Sequence, residues 1–431
     1  MHYFLLLIAA AFASCTMGAT SGVVVFGVST NSIVAQTSGN QTNTTELARF
    51  VAQLGGEPYD TDAASLQGHA DTARDSWSYT LTAGDWESDG GNCEPVGATT
   101  VGDEYNVRNA ATDIFAMALN GYIDSDNTYY AAARTRILEF AAMTDFELTD
   151  LSGGNQCILD MGTAAYHVIE AAFLLENAGY SSWTSSDRNT LTTWATQEVF
   201  PVVSWGIVTR KNNWGIVTYG SALAIATYAN GNASSMTLYD ASTVSPSTYL
   251  SQASATLATW LNTTEQLDST CQGAGEVYGL QSHGGFPDEL RRTTGTTNCG
   301  QTSIAFDCTT STSCGSAHFY QQKSTNAWAR VCEIMRRQGD TGTCFDWASH
   351  SGNDEGLLDA AQFATGGDFA TYYINDFSQG FRYVAGQYYQ NYGLITALDD
   401  GSVSVRGGRD YAYTKITHGQ GVAYSTAVPA P

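Results

Sequence analysis

The 431-residue chain carries 18 Lys and Arg against 42 Asp and Glu, a formal charge of -24 at pH 7. Such a surface repels nucleic acid and anionic lipid, so neither is expected as a partner. Charged residues are only 14% of a chain that is 43% hydrophobic, which excludes a disordered solvating protein and provides for a sizeable core.

Residues 3–13 form an apolar run too short to span a membrane, followed by small residues. This pattern predicts a signal peptide over residues 1–19, export, and a secreted mature chain over residues 20–431. No later stretch reaches the roughly 18 uncharged apolar residues of a transmembrane helix. Residues 22–36 suit a short strand or extended entry segment. Residues 37–45 are polar and expected to be exposed, with sequons at Asn40 and Asn43; further sequons stand at Asn232 and Asn262.

Helical spacing begins at residues 45–54. Residues 84–101 are Gly-rich and read as a loop carrying Cys93. Residues 109–122 and 127–143 read as two amphipathic helices around the turn Asp124-Ser125-Asp126. Residues 157–177 are apolar and Ala-rich, and Ser185-Ser186-Asp187 precedes a helix over 188–199. Residues 213–229 form a long apolar helix stopped by Asn230-Gly231. Its partner spans 246–261, with Ser245 as N-cap and Pro246 at the first helical position. Helices over 318–338, 357–363 and 374–398 complete the chain. Long helices joined by short turns predict antiparallel hairpins. The expected fold is all-α: one domain built as an (α/α) toroid, an incomplete barrel of helical hairpins. Loops at one rim would line a cleft for an extended ligand, and the chain is expected to be a monomer.

Outside the leader, which holds Cys15, eight cysteines remain: Cys93, Cys157, Cys271, Cys299, Cys308, Cys314, Cys332 and Cys344. An even count in an exported chain predicts four disulfides, at least one closing the segment between Arg292 and His318. No CxxC pair, nucleotide loop or triad elbow is present, and no metal or cofactor is expected.

Three segments carry candidate chemistry. The first is Arg210-Lys211-Asn212-Asn213-Trp214-Gly215, directly before an apolar helix. The second runs from His283-Gly284-Gly285-Phe286-Pro287 through Asp288-Glu289-Leu290 to Arg291-Arg292. The third is Ala317-His318-Phe319-Tyr320, opening another helix. Four of the 18 basic residues fall in the first two segments, a local positive field suited to an anionic ligand. Adjacent amides and an Arg fork suit a carboxylate.

The order of these motifs resembles the alginate lyase superfamily of helical toroids. That family has an Asn-Asn-His at the start of an inner helix, then Asp-Gly, a loop and Pro-x-Glu-x-x-Arg, then a Tyr that begins the next helix. Asn212-Asn213 match the amide pair, Gly284 through Pro287 to Arg292 the second element, with Arg292 at the family's Arg, and Tyr320 the Tyr. Trp214 stands where the family has its His, and His283 where it often has Asp. Cys299, Cys308 and Cys314 fall in a longer gap that reads as a stapled insertion. The resemblance spans roughly residues 105–365.

It implies a lyase acting on a uronic-acid polymer. The C5 proton becomes removable once the neighbouring carboxylate is neutralised, here by Asn213 and Arg292. Tyr320 would then act as acid, and on a mannuronate- or glucuronate-type polymer also as base, because C5 hydrogen and C4 oxygen share a face. His318 and His283 are the alternatives for the base. Asn212, Trp214, Lys211, Arg291 and His167 are the candidate substrate-binding residues. Each has a plainer reading: Asn212-Asn213 as a helix cap, Trp214 and His167 as core, Arg292 as a partner of Glu289 or Asp288. Two other functions compete. A glycoside hydrolase on a similar toroid would need two carboxylates, for which Asp160, Glu170, Asp288 and Glu289 are available. A non-catalytic carbohydrate-binding protein would need neither.

Overall fold

The computed structural model describes residues 40–41, 44–89, 92–98, 106–146, 156–209, 212–261, 286, 317–339, 344, 405–406 and 411–418. The expected signal peptide, the strand over 22–36 and the helices over 357–363 and 374–398 lie outside them.

The described chain is helix-rich. It opens with α1 (Thr44–Gln53) and α2 (Tyr59–Asp75), the second without counterpart in the sequence reading. α3 (Val107–Asp124) starts at Asn106, whose side chain accepts the Asn109 N–H. It ends at Ser125 in the left-handed region, φ 55°. Asp126 then accepts the Thr128 N–H and starts α4 (Asn127–Phe140). Two polar residues thus stop one helix, cap the next and reverse the chain.

α5 (Gln156–Asn177) is apolar and buried along nearly its whole length. α6 (Ser185–Thr193) starts from a capping box between Thr184 and Asp187, one residue earlier than the predicted Ser185–Asp187 cap region. It passes through a π-helical turn, Trp194–Val199, into α7 (Phe200–Thr209). Pro201 explains that turn. In an unbroken α-helix its ring would collide with the Gln197 carbonyl, and the wider turn relieves the contact. α8 (Asn213–Ala229) follows. The predicted helix over 246–261 is split at Gln252 into α9 (Pro246–Ser251) and α10 (Ala253–Leu261), with Ser245 capping the first. α11 (Ala317–Arg337) and α12 (Thr414–His418) complete the helices described.

The Gly-rich stretch over 84–101 is corrected in part. Its beginning is a hairpin of β1 (Gly84–Asp89) and β2 (Asn92–Pro95), paired from Trp86↔Pro95 to Asp89↔Asn92. β1 also pairs in parallel with β3 (Met143–Thr144). Trp86, fully buried, anchors the hairpin, and its indole N–H donates to the Thr82 carbonyl. A further pair, β4 (Met236–Thr237) and β5 (Thr243–Val244), closes the turn after α8.

Contacts between the long helices fix their direction. Arg108 of α3 meets Asp160 of α5, and seven residues on Phe115 meets His167. Gly162 of α5 lies against Thr218 of α8, and Phe173 against Tyr228. Both pairs therefore run parallel. Tyr166 of α5 meets Arg330 of α11. One turn on, Glu170 is joined through Gln41 to Arg337, further along α11 in the same direction. α3, α5, α8 and α11 form a parallel series, each packed on the next, with α4 and the α6–α7 rod returning the chain between its members.

Thr218 marks the tightest approach. A Cβ added to Gly162 would lie 2.7 Å from Thr218 Cγ2 and 3.2 Å from its Cα; one added to Gly206 of α7 would lie 2.5 Å from Thr218 Oγ1. Gly162→Ala gains up to about 1 kcal/mol of helix propensity, against about 1–3 kcal/mol of overpacking. A net loss of about 1–2 kcal/mol is expected in urea unfolding. Thr218→Ala should relieve it, so additive effects of the two substitutions would reject this packing account.

Two disulfides join described cysteines: Cys93–Cys157, tying β2 to the start of α5, and Cys332–Cys344, tying α11 to a turn beyond its end. Such bonds persist in oxidising compartments. Cys271, Cys299, Cys308 and Cys314, and with them the expected staple, lie outside the described residues. Asn40 and Gln41, expected at the surface, are instead fully buried among α5, α11 and residues 412–417.

Candidate functional site

The first motif forms the start of α8. Asn212 is the N-cap: its side-chain oxygen accepts the Trp214 N–H at 3.1 Å. Asn213, the first helical residue, is fully buried, and Trp214 is half-buried against the core. Capping and packing thus account for part of this motif. Lys211, with Arg210, lies outside the described residues.

The third motif forms the first turns of α11, where Tyr320 is half-buried. α11 packs on α8. A Cβ on Gly220 of α8 would lie 2.7 Å from Arg330 Nε, so the Arg330 guanidinium reaches α8 at the level of Gly220. Asn213 stands seven residues before Gly220 and Tyr320 ten before Arg330. At about 1.5 Å per residue both approach the same end of the parallel pair. The second motif reaches this end through Phe286, which is buried. Its N–H donates to Gln321 Oε1 at 2.8 Å, and its ring lies 6.0 Å from Trp328. Arg291, Arg292 and His283, and the side chain of His318, lie outside the described residues.

Sequence reasoning missed the character of α11 itself. α5 and α8 are buried and apolar, whereas α11 buries Gln321, Gln322, Lys323, Ser324, Thr325 and Asn326 in succession. Burying such groups costs several kcal/mol unless each is hydrogen-bonded, so a core helix of this composition needs a polar surrounding. Gln321 meets that need toward Phe286, and the Thr325 hydroxyl donates to the Gln321 carbonyl. Six adjacent polar residues inside a predicted long helix were the available signal. Lys323, one of three Lys in the chain, lies one turn beyond Tyr320.

A second polar cluster lies deeper. The Glu170 carboxylate accepts the N–H groups of Asn40 (2.7 Å) and Gln41 (2.8 Å). The Gln41 side-chain amide donates to the Ala412 carbonyl and to Thr417 Oγ1. The Gln41 carbonyl accepts from Arg337, which also pairs with Glu333 at 2.6 Å. Arg330 lies over the Tyr166 ring, 4.5 Å from its centroid, and donates to the Val217 carbonyl. Burial pushes the Glu170 carboxyl up to about 7, against the two main-chain N–H groups and Arg337, which favour its charge. Burial also raises Tyr166 and Tyr411 well above the usual phenol range.

His167, a candidate for substrate contact, belongs to this closed interior. It is fully buried, its Nε2 accepts the Ala412 N–H at 3.2 Å, and its Nδ1 is 3.1 Å from the Thr163 carbonyl. Both ring nitrogens are thus engaged by main-chain groups of the core. The carboxylates available to a glycoside hydrolase are similarly engaged. Asp160 pairs with Arg108 at 2.9 Å and accepts from the Cys93 N–H and Gln156, while Glu170 is sealed in the core. Asp288 and Glu289 lie outside the described residues. Among the described residues no group of three His, Cys, Asp or Glu is placed to hold a metal ion.

The starts of α3, α5, α8 and α11 all point one way. Their aligned helix dipoles give that end a partial positive charge in an otherwise acidic molecule, and such an end favours an anion. No known family model and no curated protein matches the chain.

Proposed function

We propose that this protein is an exported polysaccharide lyase of the alginate lyase type, cleaving a mannuronate- or glucuronate-type polymer by β-elimination on an incomplete (α/α) toroid. The observation that carries this reading is the approach of Asn213 and Tyr320 to one end of two adjacent parallel helices, with Phe286 of the intervening motif docked beside Tyr320. The parallel series α3, α5, α8 and α11 supports the toroid. The common direction of their N-termini supports a carboxylate-bearing ligand.

In this reading Asn213 and Arg292 neutralise the substrate carboxylate, with Lys211 and Arg291 adding positive potential. Trp214 offers its half-buried ring to a sugar face. Tyr320, as phenolate, takes the C5 proton; the C4–oxygen bond breaks as the C4–C5 double bond forms, and the phenol gives that proton to the departing C4 oxygen, so the group ends the cycle ionised, as it began. His318 and His283 are the reserve groups for proton transfer.

The test is ultraviolet absorbance when purified protein meets a panel of uronic-acid polymers. A lyase generates a conjugated unsaturated end; a hydrolase generates reducing ends without that chromophore; a binding protein generates neither. Absence of the chromophore with every polymer would overturn the proposal. Asn213→Ala is expected to lower kcat about a hundredfold, the scale of losing one preorganised donor to developing charge. An unchanged kcat would remove Asn213 from the site.

A further inference from the structure

We infer that Asn232 carries an N-linked glycan, and that Asn40, despite an identical class of motif, does not. Both asparagines stand in sequons, Asn232-Ala233-Ser234 and Asn40-Gln41-Thr42. Asn40 is fully buried and its N–H is bound to Glu170, so the folded chain has no room there for a sugar. Asn232 lies in the turn that ends α8, after Gly231 with φ 91°, and is part-exposed; Ser234 is exposed.

The local hydrogen bonding suits the modification. Asn232 Nδ2 donates to the Tyr228 carbonyl at 2.7 Å. A side-chain amide has two hydrogens, and forming the linkage consumes only one. In that step Nδ2 bonds to C1 of the first sugar of an oligosaccharide carried on a lipid diphosphate. The C1–oxygen bond breaks, the diphosphate leaves with its electron pair, and Nδ2 gives up one proton. The remaining N–H keeps its bond to Tyr228, which fixes the direction of the glycan. Beside Asn232 lies a groove of about 460 Å³ lined by uncharged hydroxyl and amide side chains, among them Asn189, Thr193, Thr196, Gln197 and Ser235. That size falls within the range of ligand clefts, and a lining of donors and acceptors without charge matches a neutral sugar ring. This inference does not rest on lyase activity.

The test expresses the full chain in a eukaryotic secreting cell behind the host's own leader, so that export is supplied. Glycopeptides of the folded, secreted fraction are then read by mass spectrometry. The expected result is an N-acetylhexosamine-rooted glycan on Asn232 and, with fragmentation assigning the site residue by residue against the neighbouring sequon at Asn43, none on Asn40. Ser234→Ala, which keeps Asn232 itself, should abolish the modification while leaving the far-ultraviolet circular dichroism unchanged. An unmodified Asn232 peptide, or a glycan on Asn40 in the folded fraction, would overturn the inference.

Discussion

Glu170→Ala is expected to lower the free energy of unfolding by about 3–5 kcal/mol, the scale of removing one member of a buried charged network. The loss has two sources. The N–H groups of Asn40 and Gln41 lose the carboxylate they share, and each buried donor left without an acceptor costs about 1–3 kcal/mol. Arg337 loses a negative neighbour, although Glu333 still pairs with it. Glu170→Gln keeps the shape and one acceptor, and should cost less, about 1–2 kcal/mol. The carboxyl also titrates in the fold. Its ordinary value of 4.5 is raised to about 7, so the folded chain holds this proton more tightly than the unfolded chain. The stability this contributes is fully present below pH 4.5 and is lost as pH rises through 7. Urea unfolding across that window should therefore show the wild type losing stability toward neutral pH more steeply than Glu170→Gln. Identical slopes would mean that Glu170 stays ionised throughout.

Under the proposed β-elimination, Tyr320→Phe should lower turnover at least about a hundredfold, the usual contribution of one general acid–base group. The substitution keeps the ring and its half-buried packing, and removes only the proton-carrying oxygen. Substrate affinity and thermal stability should therefore change little, which separates a chemical role from a structural one. In the same-face mechanism one phenol serves both proton transfers, so its loss stops both halves of the reaction. Near-normal activity in Tyr320→Phe would assign the proton transfer elsewhere, first to His318, two positions earlier on α11.

Local signals in the sequence were sufficient wherever the deciding interaction is also local. The reversal at Ser125-Asp126, the Ser245-Pro246 helix start and the Asn212 cap each depend on groups within a few residues. α2 was less legible because its seventeen residues bury only Asp62, Leu66, Ala70 and Ala73, a narrow stripe. The β1–β2 hairpin was hidden by its Gly and Asp content. It is held by the buried Trp86 and by a disulfide to a cysteine 64 positions away. Asn40 and Gln41 look like exposed linker because nothing nearby in the chain announces the carboxylate at 170, the guanidinium at 337 or the carbonyl at 412. For the candidate site, the sequence order of the motifs pointed to α8 and α11. The packing that brings Asn213 and Tyr320 toward one end, and the buried polar run behind Tyr320, required the fold.

Gln41 also sets a timetable for folding. Its amide holds Ala412, 371 positions later, and its carbonyl holds Arg337, 296 positions later. During synthesis the early helices can pair as they emerge, but this junction waits until residue 412 has left the ribosome. Until then the Gln41 amide lacks its partners at Ala412 and Thr417. Closing so distant a contact carries a loop entropy that grows only logarithmically with length, so the delay is set by translation more than by chain search. A nascent chain stopped before residue 411 should thus remain open to proteases around Asn40 and Gln41, which are buried in the complete fold.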